Sequence, residues 1–214
     1  MIGPGGAVSC PIFWANCKAG WSRSRHGKPC EMEKEKLIQA LSDVRKAWEA
    51  TIAELGSDGL EQSGATGDWR VRDVLAIFNG WDRYNLVQLR CAFTGEIPTN
   101  DELTGGIPYP PRDSFNVDAM NAMFIAGTRD LPVEDIVRDW REISAMRADW
   151  VSAASQNMLD EVVGADWSSQ SSIKMRLASE VPSVSNPMPV WQLIFDQVDN
   201  QKSHLQIVRD WMDR

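Results

Sequence analysis

The residues best suited to chemistry in this chain lie near its end. Only two histidines occur in 214 residues, His26 and His204. His204 follows Asn200 by four residues and precedes Val208 by four, so in a helix all three share one stripe. An imidazole titrates near pH 6.5 and can act at neutral pH as a general base or as a hydrogen-bond donor. An asparagine one turn earlier can orient a water or a substrate carbonyl. Two readings of the pair stand side by side. It is a satisfied polar pair inside a bundle or at its rim, or it floors a ligand pocket. On an inward face it needs partners or water, because each buried polar group left without one costs about 1–3 kcal/mol. The wall facing such a pocket would come from an earlier helix, through Ile77, Trp81 and Tyr84 or Asn85, one to two turns apart. Sites formed by facing helices are common in bundle cores.

Other chemistry finds less support. The sequence has no G-x-G-x-x-G fingerprint, phosphate loop, G-x-S-x-G elbow or H-E-x-x-H pair. Cys91 falls in an apolar helical stretch and reads as a small buried hydrophobe, not a nucleophile. The other three cysteines, Cys10, Cys17 and Cys30, lie with His26 in the first 30 residues. Their spacings of x6, x8 and x3 lack the tight cysteine pair of structural zinc sites.

That first segment differs in texture from everything after it. Residues 1–30 hold Lys18, Arg23, Arg25 and Lys28 and no acid, a charge of +4. Residues 31–214 therefore carry −12 of the total −8. A secretory signal would need a longer apolar core behind its basic residues, and a transit peptide would tolerate fewer prolines and glycines. The segment is expected to be a non-globular extension over 1–31, with the working start at Met32 and one folded domain over 32–214. No disulfide framework shows in that domain, so a reducing cytoplasm is the expected setting. The acidic balance argues against nucleic acid and anionic membrane as partners. No stretch reaches the roughly 18 consecutive apolar residues of a spanning helix. Ten tryptophans suit a bulky aromatic core or cavity.

From Met32 onward the period is helical. Leu37, Leu41, Val44, Trp48, Ile52 and Leu55 form one stripe, which Gly56 is expected to stop. A second helix is expected from about Arg70 to Phe93, with Val71, Val74, Leu75, Phe78, Trp81 and Leu89 inward and Asp68 as N-cap. Residues 95–114, rich in Gly and Pro, read as a long loop, either a lid or a solvent-exposed crossover. A shorter helix from Phe115 to Gly127 follows. The next, from Pro132 to about Ala154, faces inward through Val133, Ile136, Val137, Trp140, Ile143, Trp150 and Val151. Residues 155–188 read as a Ser-rich connection with one short helix near 172–177. The last helix starts near Pro189, with an inner face of Val190, Leu193, Ile194, Gln197, Val198, Gln201, Leu205, Val208 and Trp211. No alternating run is long enough for a sheet. The fold class is all-α: a four-helix bundle with crossover connections and an extra short helix.

Residues 68–82, DWRVRDVLAIFNGWD, resemble the opening of the second helix in the DinB-like superfamily, through Trp69, Val71, Arg72, Asp73, Val74, Leu75, Ala76, Trp81 and Asp82. FNVDAMNAMFIAGTRDLPVEDIVRDW and NQKSHLQIVRDW are similar to the same superfamily, so the resemblance spans about 32–213. Gly80-Trp81 followed by a Gly/Pro-rich loop resembles the ClbS/DfsB-like branch, one member of which hydrolyses a cyclopropane warhead. The mycothiol-dependent maleylpyruvate isomerase-like branch is also similar. The resemblance implies a DinB-like bundle. In its metal-binding members it also implies one histidine on the second helix and an H-x3-H pair on the last. Here those positions are Ile77, Asn200 and His204. An aliphatic group cannot ligate and an amide is a poor ligand, so no metal and no cofactor are expected. Recruiting Asp82 or Asp199 is the minority case. The expected function is metal-independent binding of a small organic molecule between the second and last helices, with hydrolysis or sequestration both open. His204 would be the catalytic candidate, Trp81 would pack on the ligand, and Ile77, Tyr84, Asn85 and Asn200 would line it. A metal-dependent thiol S-transferase or isomerase and a non-catalytic dimerising bundle are the competing readings, and a homodimer remains open as a partner.

Overall fold

A computed structural model of the protein describes residues 32–94, 96, 98–108, 117–163 and 188–214. The expectations for residues 1–31 and for a short helix at 172–177 lie outside these residues. Four long helices dominate: α1 (Lys34–Leu60), α2 (Val71–Thr94), then α5 (Val133–Ala153) and α7 (Val190–Met212). Between α2 and α5 come α3 (Asn100–Thr104) and α4 (Val117–Gly127), and after α5 comes α6 (Gln156–Asp160). Short strands form two antiparallel ladders. β1 (Ser63–Gly64) pairs with β2 (Gly67–Arg70), and β3 (Val162–Val163) pairs with β4 (Met188–Pro189). These ladders pin the loops before α2 and α7 and add no sheet to the core. The fold is an all-α four-helix bundle with crossover connections.

α1 packs along α5 and α7, and α2 packs along α5. Leu37, Leu41, Val44, Trp48 and Ile52 are buried, and Leu55 is half-buried where the stripe reaches the bundle end. Gly56 does not end the helix as expected. It takes φ 59° and ψ −178°, kinks the chain, and a further turn carries Leu60 back into the core. Only glycine enters that region of φ without steric cost.

α2 begins at Val71, and Asp68 is not its cap. Asp68 sits in β2, and Asp73 instead accepts the Arg70 backbone N–H at 2.9 Å while its carboxylate holds the Arg70 guanidinium at 3.0 Å. The expected long loop contains α3, nucleated by a capping box. The Thr99 hydroxyl accepts from the Glu102 N–H at 3.2 Å, and Glu102 accepts the Thr99 N–H at 2.9 Å. The described start of the following connection carries α6, at 156–160. Ser155 caps it, and Gln156 reaches back to the Met32 carbonyl at 2.9 Å.

α4 lies flat against α2. A Cβ added at Gly80 would come within 2.3 Å of the Phe124 ring, so the absent side chain is what lets the two helices meet this closely. Trp81, the next residue, donates from its indole N–H to the Asn121 side-chain oxygen at 2.8 Å. Tyr84, Leu103, Met120, Met123 and Phe124 form a second apolar cluster here, beside the main core.

Candidate functional site

His204 is buried, with 2% of its surface exposed. Its ring meets Phe78 of α2 edge to face at 5.6 Å, and Phe78 meets Trp48 of α1 in the same way at 5.5 Å. Trp48, Phe78 and the imidazole thus form an aromatic row in the core. Burial pushes its pKa down to about 4, so at neutral pH the ring is uncharged. An uncharged imidazole donates through one nitrogen and accepts through the other. With its pKa three units below neutral it is a poor proton acceptor, because general bases work best near ambient pH. The geometry favours hydrogen bonding over proton transfer for this residue.

The other expected site residues divide between two directions. Ile77 is buried on α2, and Asn200 is half-buried on α7, one turn before His204. Trp81 and Tyr84 touch each other at 5.8 Å between ring centroids. Trp81 also lies edge to face on Phe124 at 5.9 Å. These two rings therefore pack towards α4, and the α2 ring that meets His204 is Phe78. Asn85 is half-buried, one residue beyond Tyr84. Cys91 is buried and free, as expected for a small apolar filler.

The chemistry of the donor set does not fit a three-histidine metal site. Ile77 brings a hydrocarbon, Asn200 a weak amide oxygen and His204 one imidazole. Asp82, one of the two carboxylates considered for recruitment, is engaged with Arg147 and Gln201. Its Oδ1 accepts from Arg147 Nη1 at 2.8 Å and its Oδ2 from Gln201 Nε2 at 3.0 Å. Among the described residues no cluster of three His, Cys, Asp or Glu side chains could hold a metal ion.

That Asp82 arrangement is a feature the sequence reading did not single out. Asp82 and Arg147 are each 3% exposed, so the pair is fully inside the bundle. Arg147 Nη1 also reaches Gln197 Oε1 at 3.5 Å, and Trp48 Nε1 donates to the Gln201 backbone carbonyl at 3.1 Å. Three helices meet through side chains here, and α1 joins through its tryptophan. Burial pushes the Asp82 carboxyl above its usual range, opposed by Arg147 and by the hydrogen bond from Gln201. A signal for it did exist. Arg147 stands midway between Ile143 and Val151 on the inner stripe of α5, and Gln197 and Gln201 occupy inner positions of α7. Polar residues on an apolar stripe mark a buried network.

Among the described residues the network is not closed. Arg147 Nε, Gln197 Nε2 and Gln201 Oε1 are buried and have no hydrogen-bond partner among the described residues. The same holds for Ser144 Oγ, Trp140 Nε1 and Asn79 Oδ1. Asn79 lies three residues before Asp82, and its other amide atom donates to the Ile136 carbonyl at 3.0 Å. Ile136, Trp140, Ser144 and Arg147 follow one another along a single stripe of α5 at helical spacing. The six atoms therefore trace a polar seam between α2, α5 and α7. Left dry, each would cost about 1–3 kcal/mol. Together that is on the order of the 5–15 kcal/mol by which a whole domain is stable.

No protein-family model and no curated protein matches this chain. Solved structures do. A protein from Streptococcus pneumoniae matches with a TM-score of 0.61 at 14% identity, over 86% of this chain and 93% of its own. DfsB, described as a sibling lethal factor precursor, matches with a TM-score of 0.61 at 16% identity, over 85% of this chain and 96% of its own. At such identities the likeness speaks for the fold: the chain is a four-helix bundle of the kind found in DfsB.

Proposed function

We propose that this protein binds a small organic molecule in a hollow between α2 and α7, without a metal ion, as a DinB-like protein of the ClbS/DfsB type. The observation that carries the reading is His204. An uncharged, buried imidazole against the Phe78 ring, with Asn200 one turn before it, supports the reading. Such a setting suits a ligand with an apolar body and a few neutral polar groups. Its burial gives His204 the role of orienting the ligand through hydrogen bonds. If the bound molecule is hydrolysed, water is activated by other means than proton transfer to this ring at pH 7. Sequestration needs no such step.

The test is a thermal-shift screen of neutral, partly aromatic small molecules against the whole protein and its His204→Phe variant. A ligand raises apparent stability by RT ln(1 + [L]/Kd), about 2.7 kcal/mol at a hundredfold excess over Kd. We expect compounds that raise the Tm of the parent and not of the variant. A protein that gains stability only with added zinc or nickel would overturn the metal-free reading and favour a metal-dependent thiol transferase. Equal shifts in both proteins would remove His204 from the site.

A further inference from the structure

We propose that the polar seam between α2, α5 and α7 is an internal hydration site, holding ordered water that joins Asp82, Arg147, Gln197 and Gln201 into one closed network. The inference is independent of the small-molecule reading above, since it uses neither His204 nor Asn200.

The seam contains more hydrogen-bonding capacity than the protein itself consumes. Arg147 Nε, Gln197 Nε2 and Trp140 Nε1 carry N–H groups with no acceptor among the described residues, while Gln201 Oε1 and Asn79 Oδ1 accept from none of them. The Ser144 hydroxyl can serve on either side. Asn79, Trp140, Ser144, Arg147 and Gln201 are each more than nine-tenths buried, so bulk solvent does not satisfy them. Buried polar groups in folded proteins are nearly always paired with protein or with ordered water. The surplus here is mixed, donors and acceptors together, and the one charge pair in the seam cancels itself through the 2.8 Å contact of Asp82 with Arg147. A cation would meet the unpaired N–H groups and an anion the unpaired oxygens. Water is neutral and both donates and accepts. Internal waters typically make about three hydrogen bonds, and Arg147 Nε, Gln197 Nε2 and Gln201 Oε1 offer two donors and one acceptor on side chains already bound to the same ion pair.

Such water changes what the seam does. Dry, it would be a set of unmet bonds in the bundle centre. Hydrated, it ties three helices by a network in which each carries at least one member: Asp82 on α2, Arg147 on α5, Gln197 and Gln201 on α7.

Oxygen-17 relaxation dispersion on the whole protein counts water molecules held for longer than the protein tumbles. We expect a slow-water contribution that falls in Ser144→Ala and in Gln197→Met, each of which removes a polar partner from the seam. Ser144→Ala breaks no hydrogen bond that the protein makes internally, so the variant keeps its fold and its Tm has a diagnostic sign. In a hydrated seam the substitution strips a partner from bound water and lowers Tm by about 2–4 °C. In a dry seam it deletes an unmet hydroxyl and raises Tm. A slow-water signal unchanged in both variants, or a Tm that rises in Ser144→Ala, overturns the proposal.

Discussion

α2 presents two different surfaces at neighbouring residues. Asp82 enters the seam with Arg147 and Gln201, and Trp81 enters the aromatic cluster with Phe124 and Asn121. Both residues reach their partners through hydrogen bonds of 2.8 Å, and both contacts join helices far apart in sequence. They differ in what surrounds the bond. The Trp81 indole needs one acceptor, which Asn121 supplies, and its ring packs edge to face on Tyr84 and Phe124. The Asp82 carboxylate needs a countercharge and several donors, and its burial is tolerable only while these stay in place. One surface is held by shape and the other by charge and hydrogen bonds. Shape fails gradually as atoms are removed. A buried charge fails abruptly when one partner goes.

The contrast is sharpest when the ion pair is broken from one side. Arg147→Met leaves Asp82 buried without its countercharge and should cost about 3–5 kcal/mol in urea unfolding. Adding Asp82→Leu should restore most of that loss, because an apolar pair of similar volume is often neutral or better. A double variant no more stable than the single one would mean that the seam is not held by this pair.

Next in size is the effect of pH on the His204 end of the bundle. In the folded state the ring titrates at about 4 against 6.5 when unfolded, so between these values the unfolded chain binds more protons. Its contribution is fully present above pH 6.5 and is lost as pH falls towards 4, by about 3 kcal/mol at most. Asp196 works the other way. Burial and the nearby Asp199 push its pKa up to about 6, so its contribution falls as pH rises between 3.8 and 6. The two windows overlap, and the net profile of the parent should be shallow there. Unfolding measured from pH 4 to 7 in His204→Phe should lose the histidine arm, leaving stability that decreases with rising pH. A profile identical to the parent's would show that His204 is not desolvated.

The aromatic surface is tested at Gly80. In an open helix Gly→Ala stabilises by roughly 1 kcal/mol. Here the added methyl would drive into the Phe124 ring, and the expected outcome is a loss of about 1–3 kcal/mol. Phe124→Leu in the same chain should return part of it, as read from urea midpoints. A stabilised Gly80→Ala protein would mean that α4 is free to move away from α2.

How legible these features were depends on the distance over which each is decided. Val71, Val74, Leu75, Phe78 and Leu89 announce a buried helical stripe because helix period and hydrophobicity are local, and all five are buried. Gly56 was legible as a break but not as a kink, since whether a helix resumes depends on whether Leu60 finds a core to enter. Asp68 and Asp73 are both reasonable caps by type, and β2 pairing with β1 removed the first from contention. Trp81 was placed by period alone. Its indole turned towards α4 because Gly80 opens that side and Asn121 accepts its proton.

The sequence by itself determined that four amphipathic helices would bury their apolar stripes together and that the last helix carries a single histidine. Only the tertiary structure decided that Asp82 would meet Arg147 and Gln201, 65 and 119 residues away, and that His204 would lose its water to Phe78. The physical reason is that periodicity fixes which face a residue takes within its own helix. Pairing and desolvation are fixed by whichever residue stands opposite.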